Sequence, residues 1–205
     1  STHRRSHGNF VRMNTLRIAP AASSLVIVDV QERLLGAMNA GVAERVVGNL
    51  GILATAARRL AVPAFVTEQY PKGLGRTVAN VRDAFGETLA MNPPFEKLEF
   101  DAMRNAHFAR AFTHACPPAT RPHVIVAGME AHICVYQTAR GFREQGYSVH
   151  VVSDACCSRT EENFRIARGL WERMSAVVSS TETVLFDWLG KAGTEDFKIL
   201  SRLIK

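Results

Sequence analysis

No stretch of this sequence stays apolar for the roughly 18 residues that a membrane-spanning helix needs, and no secretory leader pattern opens it. A membrane-spanning protein is therefore not expected. Cysteine is sparse: Cys116, Cys134, Cys156 and Cys157 are the whole set. They form no CxxC pair and no zinc spacing. Adjacent Cys156 and Cys157 would make a strained ring if bridged, so free thiols in a reducing, cytoplasmic compartment are the expectation. Gly73-Leu-Gly-Arg-Thr77 has the wrong spacing for a phosphate loop and reads as a loop over a pocket mouth. The RRM, KH and zinc-knuckle patterns of RNA-binding modules are missing. Internal repeats and low-complexity linkers are missing too.

What is present is a globular profile. Hydrophobic residues make up 47% of the 205 and charged residues 21%, enough for one sizeable core. The net charge of +6 is unevenly spread. Residues 1–20 hold Arg4, Arg5, Arg12 and Arg17 with no acid, which leaves the body 21 basic against 19 acidic residues. This predicts a basic, poorly ordered tail over 1–20 and one domain over 21–205. The tail's composition also fits a mitochondrial presequence, the alternative localisation. A near-neutral body argues against nucleic acid as a partner.

Apolar runs alternate with helix-period segments. Ser24–Val28, Pro63–Thr67, His123–Ala127, Tyr147–Val152 and Ala176–Val178 read as strands. Phe95–Phe100 (FEKLEF) suits a further short strand. Helices are predicted over Gly41–Leu60, from an Asp101 cap to Ala115, over Ile133–Gln145, from a Ser158–Glu161 capping box to Met174, and twice more at the C-terminus. Residues 71–76 read as loop. The alternation predicts an α/β fold, a three-layer α/β/α sandwich with a mainly parallel, Rossmann-like sheet of about six strands. In such sheets ligands bind beyond the carboxyl ends of the strands.

Three reactive side chains fall at those ends: Asp29 after the first strand, Lys97 in FEKLEF, and Cys134 after the turn that follows Ala127. They supply a base, a cation and a nucleophile. Cys134 at the start of a helix, beside Lys97, would have its thiol pKa lowered toward the thiolate, with Asp29 accepting the proton. Each also has a plain structural reading: a small buried hydrophobe, a turn residue, a solvated charge. Cys156, also near a strand end, is a rival thiol.

The order of three segments resolves part of this. Val26–Gln31 (VIVDVQ), Glu96–Phe100 (EKLEF) and Ala127–Ala139 (AGMEAHICVYQTA) resemble, in sequence order, the motifs of the isochorismatase-like cysteine hydrolases. Thr67–Gly75 (TEQYPKGLG) and the closing FKILSRLIK are similar to the eukaryotic isochorismatase domain-containing proteins. The resemblance implies that Asp29, Lys97 and Cys134 form a catalytic triad acting on an amide, carbamoyl or related bond of a small molecule. It implies a turn at Met129, Glu130 and Ile133 with a cis Met129–Glu130 peptide and oxyanion-binding amides. It also implies homo-oligomers. Pocket candidates are Gln31, Glu68, Gln69, Tyr70 and His132. Nicotinamidase-like relatives place an Asp and two His after the second strand; here that region reads Glu68-Gln69-Tyr70, and no histidine follows until His107. No metal and no cofactor are therefore expected. Some members of the subgroup are labelled mitochondria-associated ribonucleases, so an RNA-directed enzyme is the alternative. A non-catalytic interaction protein on the same fold is the other.

Overall fold

The computed structural model describes residues 16–204. Six strands form one sheet: β1 (Ser23–Val28), β2 (Ala64–Gln69), β3 (Phe95–Lys97), β4 (His123–Met129), β5 (Ser148–Cys157) and β6 (Val177–Ser179). All are parallel, in the order β3-β2-β1-β4-β5-β6. The α/β/α class expected from the strand–helix alternation is thus the observed one. β1 and β4 lie at the centre and are buried along their whole length, which explains their unbroken apolar character. The chain builds outward from β1 to β3, returns to β4, and builds the other way. Between β1 and β4 lies the switch point, where such sheets leave a crevice.

The helices are α1 (Glu32–Gly36), α2 (Ala40–Arg59), α3 (Pro71–Leu74), α4 (Ala79–Phe85), α5 (Glu87–Met91), α6 (Ala106–Ala115), α7 (Tyr136–Glu144), α8 (Glu161–Arg173), α9 (Thr181–Leu189) and α10 (Glu195–Leu200). Asn39 caps α2, and Val46, Leu50, Leu53 and Ala57 form its buried stripe. That stripe lays α2 on the sheet beside α4 and α9. Phe65, Phe108, Phe112, Phe142 and Tyr147 interlock in edge and tilted ring contacts between β2, α6, α7 and the residue just before β5. Ile18, inside the expected tail, is buried, and its N–H donates to Asp187. Residues 1–15 of that segment lie outside the described residues.

Several boundaries differ from the sequence reading. Asp101 does cap, through Met103, but it caps only a 3-10 turn over Ala102–Arg104, and Asn105 then caps α6 separately. The break seats this turn against α7 at Gly141, where an added Cβ would lie 2.5 Å from Asp101 Oδ1. Ser158 does not cap α8, because its hydroxyl is engaged with His132; Thr160 caps it instead. β5 runs on through Cys157, pairing Gly128 with Cys156 and Met129 with Cys157 past an irregularity. The segment 71–76 contains the helical turn α3, opened by Pro71. The short helices α4 and α5 lie where the sequence reading places no element.

Gly128 sits where β4 crosses closest to β1. Its φ is +125°, and an added Cβ would lie 2.1 Å from the Val28 carbonyl oxygen. Backbone on backbone cannot yield there. Gly128→Ala is expected to destabilise the fold by about 3 kcal/mol or more, measured as a lowered denaturant midpoint. Gly48→Ala, where nothing lies within 4 Å, is the control expected to stay near wild type.

Candidate active site

Three strand ends deliver three side chains to one buried point. Asp29 follows β1 directly, with φ of +53°, a left-handed conformation that Asp tolerates better than most residues. Lys97 closes β3 and reaches across β2. Its Nζ lies 2.7 Å from Asp29 Oδ2, and both side chains are fully buried. The other Asp29 oxygen accepts from the Thr67 hydroxyl at 2.7 Å. Nζ also donates to Gln69 Oε1 at 2.7 Å and to the Glu99 carbonyl at 3.2 Å. With the Phe100 carbonyl at 3.5 Å, four acceptors surround the three ammonium protons.

Cys134 sits in a π-helical turn over Ala131–Val135 that leads into α7, not at the first turn of an α-helix as the sequence suggested. Such turns recur at functional sites. The Met129–Glu130 peptide preceding it is cis. The Cys134 thiol is buried, 6% exposed, close enough to Asp29 for the two to interact. Its pKa is raised far above the ordinary thiol range, first by burial and then by the Asp29 charge; Lys97 opposes but does not prevail. This corrects the expectation of a thiolate held by Lys97. The lysine's charge is committed to Asp29, and burial beside that carboxylate favours the protonated thiol.

The expected turn residues have other partners. Ile133 N–H donates to the Glu130 carbonyl at 3.1 Å, so it is not free for an oxyanion in this arrangement. The buried Glu130 carboxylate accepts from Arg159, through its backbone N–H at 2.9 Å and Nε at 3.1 Å. His132 Nδ1 lies 2.9 Å from the Ser158 hydroxyl.

Most pocket candidates are structural braces. Gln31 accepts from Gln69 N–H and donates to the carbonyls of Gln69 and Gly75. Glu68 accepts from the Thr77 N–H and hydroxyl and from Arg76. Gln69 accepts from Lys97 and donates to the Leu98 carbonyl. Tyr70, in contrast, is exposed. Among the described residues no group of three or more His, Cys, Asp or Glu is arranged to hold a metal ion, and no helix is long and apolar enough to cross a membrane.

Thr67 and Arg159 escaped the sequence reading. Thr67 was legible in principle, since it lies two residues before Gln69 and so on the same face of β2. Arg159 carried no local signal. The rival thiols occupy other ground. Cys156 and Cys157 line a separate cleft of about 760 Å³ with Arg45 and Phe164. Burial raises both pKa values, that of Cys157 to about 12, with Glu130 adding and Arg45 opposing. Neither has a carboxylate-and-lysine pair beside it comparable to Asp29 and Lys97.

The sequence profile of the isochorismatase domain matches residues 23–183. The secreted isochorismatase effector Isc1 of Phytophthora sojae is 34% identical over 189 residues, covering 92% of this chain and 87% of that protein. The isochorismatase domain-containing protein 2 of Bos taurus is 31% identical over 193 residues, covering 92% and 86%. Among solved structures, the MAR1 ribonuclease of Caenorhabditis elegans superposes with a TM-score of 0.81 at 33% identity, covering 92% of each chain.

The electrostatics give a distinctive pH response. Alkylation of Cys134 by iodoacetamide, followed by peptide mass spectrometry, should still be rising where a free thiol of pKa about 8.5 has levelled off. Asp29→Asn removes a charge that raises the thiol pKa, and should shift the profile to lower pH. A Cys134 profile levelling near the free-thiol value would contradict this account.

Proposed function

This chain belongs to the isochorismatase family, and we propose that it is a metal-independent hydrolase in which Cys134 is the nucleophile, Asp29 the acid–base and Lys97 the group that fixes Asp29. The observation that carries the reading is a buried thiol set within the electrostatic reach of a carboxylate that is itself held by a buried ammonium.

The substrate is a small molecule with an amide, carbamoyl or related bond. As sulfur attacks the carbonyl carbon, the thiol proton passes to Asp29, so a free thiolate never has to persist in the buried site. Lys97 holds the Asp29 carboxylate in place until that moment. The oxyanion falls against the turn entering α7, where the helix end is electropositive. Asp29 hands its proton to the leaving nitrogen, and the C–N bond breaks to leave a thioester on Cys134. Water then attacks that thioester with Asp29 as base, and the acid is released. Hydrolysis consumes one water: the thiol's proton departs on the amine, and the water proton taken up by Asp29 passes to the Cys134 sulfur as the thioester C–S bond breaks.

One observation favours a second reading: the ribonuclease name of the C. elegans relative. Against it, the nucleophile is 6% exposed and the Lys97 donors are all used, so a polynucleotide phosphate finds neither access nor a free cation there. An interaction protein without catalysis would leave the buried triad unexplained.

A screen of small amides and carbamoyl compounds should give turnover by wild type that Cys134→Ala abolishes and Cys134→Ser largely loses. Asp29→Asn should cut kcat by roughly 10²–10⁴, even though its thiol ionises more readily. Mass spectrometry should find an acyl adduct on Cys134, and chelators should leave the rate unchanged. Full turnover by Cys134→Ala, an adduct on Cys156, or RNA cleavage that depends on Cys134 would each overturn the assignment.

A further inference from the structure

Cys134 is only as well placed as the turn that carries it, and that turn is held from outside as well as from within. Within, the Glu130 carbonyl accepts from the N–H groups of Ile133 at 3.1 Å and Val135 at 3.2 Å. From outside, two consecutive residues just past β5 reach over to it. The Ser158 hydroxyl lies 2.9 Å from His132 Nδ1. Arg159 gives the Glu130 carboxylate its backbone N–H at 2.9 Å, and its Nε lies 3.1 and 3.2 Å from the two carboxylate oxygens. The grip thus falls on Glu130 and His132, in the stretch that leads directly into Cys134.

Three features set this grip apart from ordinary surface bracing. The first is register. Gly128 pairs with Cys156 and Met129 with Cys157. β4 and β5 therefore run side by side up to the residue before Glu130, and Ser158 and Arg159 leave the sheet opposite the turn. The second is a local rule broken at the same place. Ser158-Arg-Thr-Glu161 is a capping box by sequence, yet Ser158 engages His132 and Thr160 caps α8. Local preference yields where a longer-range requirement outweighs it, and functional sites are where this is expected. The third is burial. The Glu130 side chain is 5% exposed, and a buried carboxylate is costly unless it is paired and hydrogen-bonded. Glutamine would fill the same space at less cost. The charge stands there nonetheless, and Arg159, itself 57% exposed, commits its Nε and its backbone N–H to it. Charge-assisted bonds of this kind fix geometry as well as contributing energy.

The same pair bears on the sulfur electrically. The charged groups that act on the Cys134 thiol are Asp29 at the end of β1, Lys97 of β3, and Glu130 from the approach to its own turn. Asp29 is paired with Lys97, and Glu130 with Arg159. Each carboxylate that the thiol feels has its own cation.

We propose that Arg159 is a positioning residue for the reaction: through Glu130 it fixes the turn that presents Cys134 to Asp29, and it screens the Glu130 carboxylate from the sulfur. The inference rests on Cys134 being the nucleophile.

The test is a double-mutant cycle read at Cys134. The intact chain is alkylated with iodoacetamide across a pH series, and the rate at Cys134 is followed by peptide mass spectrometry. Arg159→Met leaves the Glu130 charge unscreened. It should move the profile to higher pH by roughly half a unit or more, so that the rate at a fixed pH on the rising limb falls about threefold. Arg159→Lys keeps a cation and should recover most of that shift. Glu130→Gln removes the charge and should move the profile to lower pH. In the Glu130→Gln background, Arg159→Met should leave the profile where it is. Hydrogen exchange reads the turn itself: the amides of Ile133 and Val135 should exchange severalfold faster in Arg159→Met, while those of β1 are unchanged. A plain surface brace would lower the denaturant midpoint in Arg159→Met and leave both the profile and the turn amides unmoved, and that result overturns the proposal. So does a full shift that survives in the Glu130→Gln background, since Arg159 would then act without Glu130. If Arg159→Met does not fold, Glu130→Gln decides the matter, and a profile that it fails to move overturns the proposal. Alkylation at another cysteine while Cys134 stays silent at every pH refutes the nucleophile assignment instead, and this inference falls with it.

Discussion

The ion pair between Lys97 and Asp29, 2.7 Å long and closed to solvent, is the constraint from which the rest of the site follows. Taking both charges out of water costs several kcal/mol per ion, and attraction alone does not reliably return it. The deficit is met by added hydrogen bonds: Thr67 on one carboxylate oxygen, Gln69 and the Glu99 carbonyl on the ammonium. Those partners come from β2 and from the segment after β3, so the pair is tolerated only with β1, β2 and β3 in register. Val28 beside Thr67 and Gln69 beside Lys97 are that register. A one-residue slip would turn Thr67 and Gln69 to the opposite face of the sheet and leave two bare charges inside. Folding correctly and assembling the site are therefore the same event on this side of the molecule.

The pair also decides what kind of cysteine Cys134 is. A lysine near a thiol is commonly read as a device for making thiolate. Here the cation is committed elsewhere, and the thiol meets burial and a carboxylate, both of which hold its proton on. Such a sulfur resists oxidants and metals that seek thiolate; in the reaction proposed above its proton has to move to Asp29 in concert with attack. Arg159 contributes from outside by holding Glu130, a second negative group that raises the same thiol's pKa.

Much of this is legible in the chain itself. The period-2 and period-3.6 patterns point to the layers, and the positions of Asp29, Lys97 and Cys134 relative to the strands point to the convergence. What escapes depends on contacts distant in sequence. The Asp101 helix is broken in two because a 3-10 turn has to seat against Gly141. Ser158 leaves its capping role because His132, 26 residues earlier, engages its hydroxyl. Gln31, Glu68 and Gln69 look like pocket residues in the chain and are hydrogen-bonded braces in the fold, since partners such as Gln69 for Gln31 and Lys97 and Leu98 for Gln69 cannot be seen from local spacing. The direction of the thiol's pKa shift is hidden for the same reason: spacing brings Lys97 near, but does not reveal that its protons are already assigned.

The full use of the donors around Lys97 has a consequence for how such a site diversifies. A polar group with no spare hydrogen bond cannot be re-aimed at a new ligand without abandoning an old partner inside the protein. The interior of the site is therefore frozen against gradual change. The side chains of Tyr70, Leu98 and Phe100 face solvent and brace nothing through their own polar atoms, so they are the positions at which single exchanges cost the fold little. Exchange is cheapest at such outer positions, while the hydrogen-bonded interior can be altered only several residues at a time.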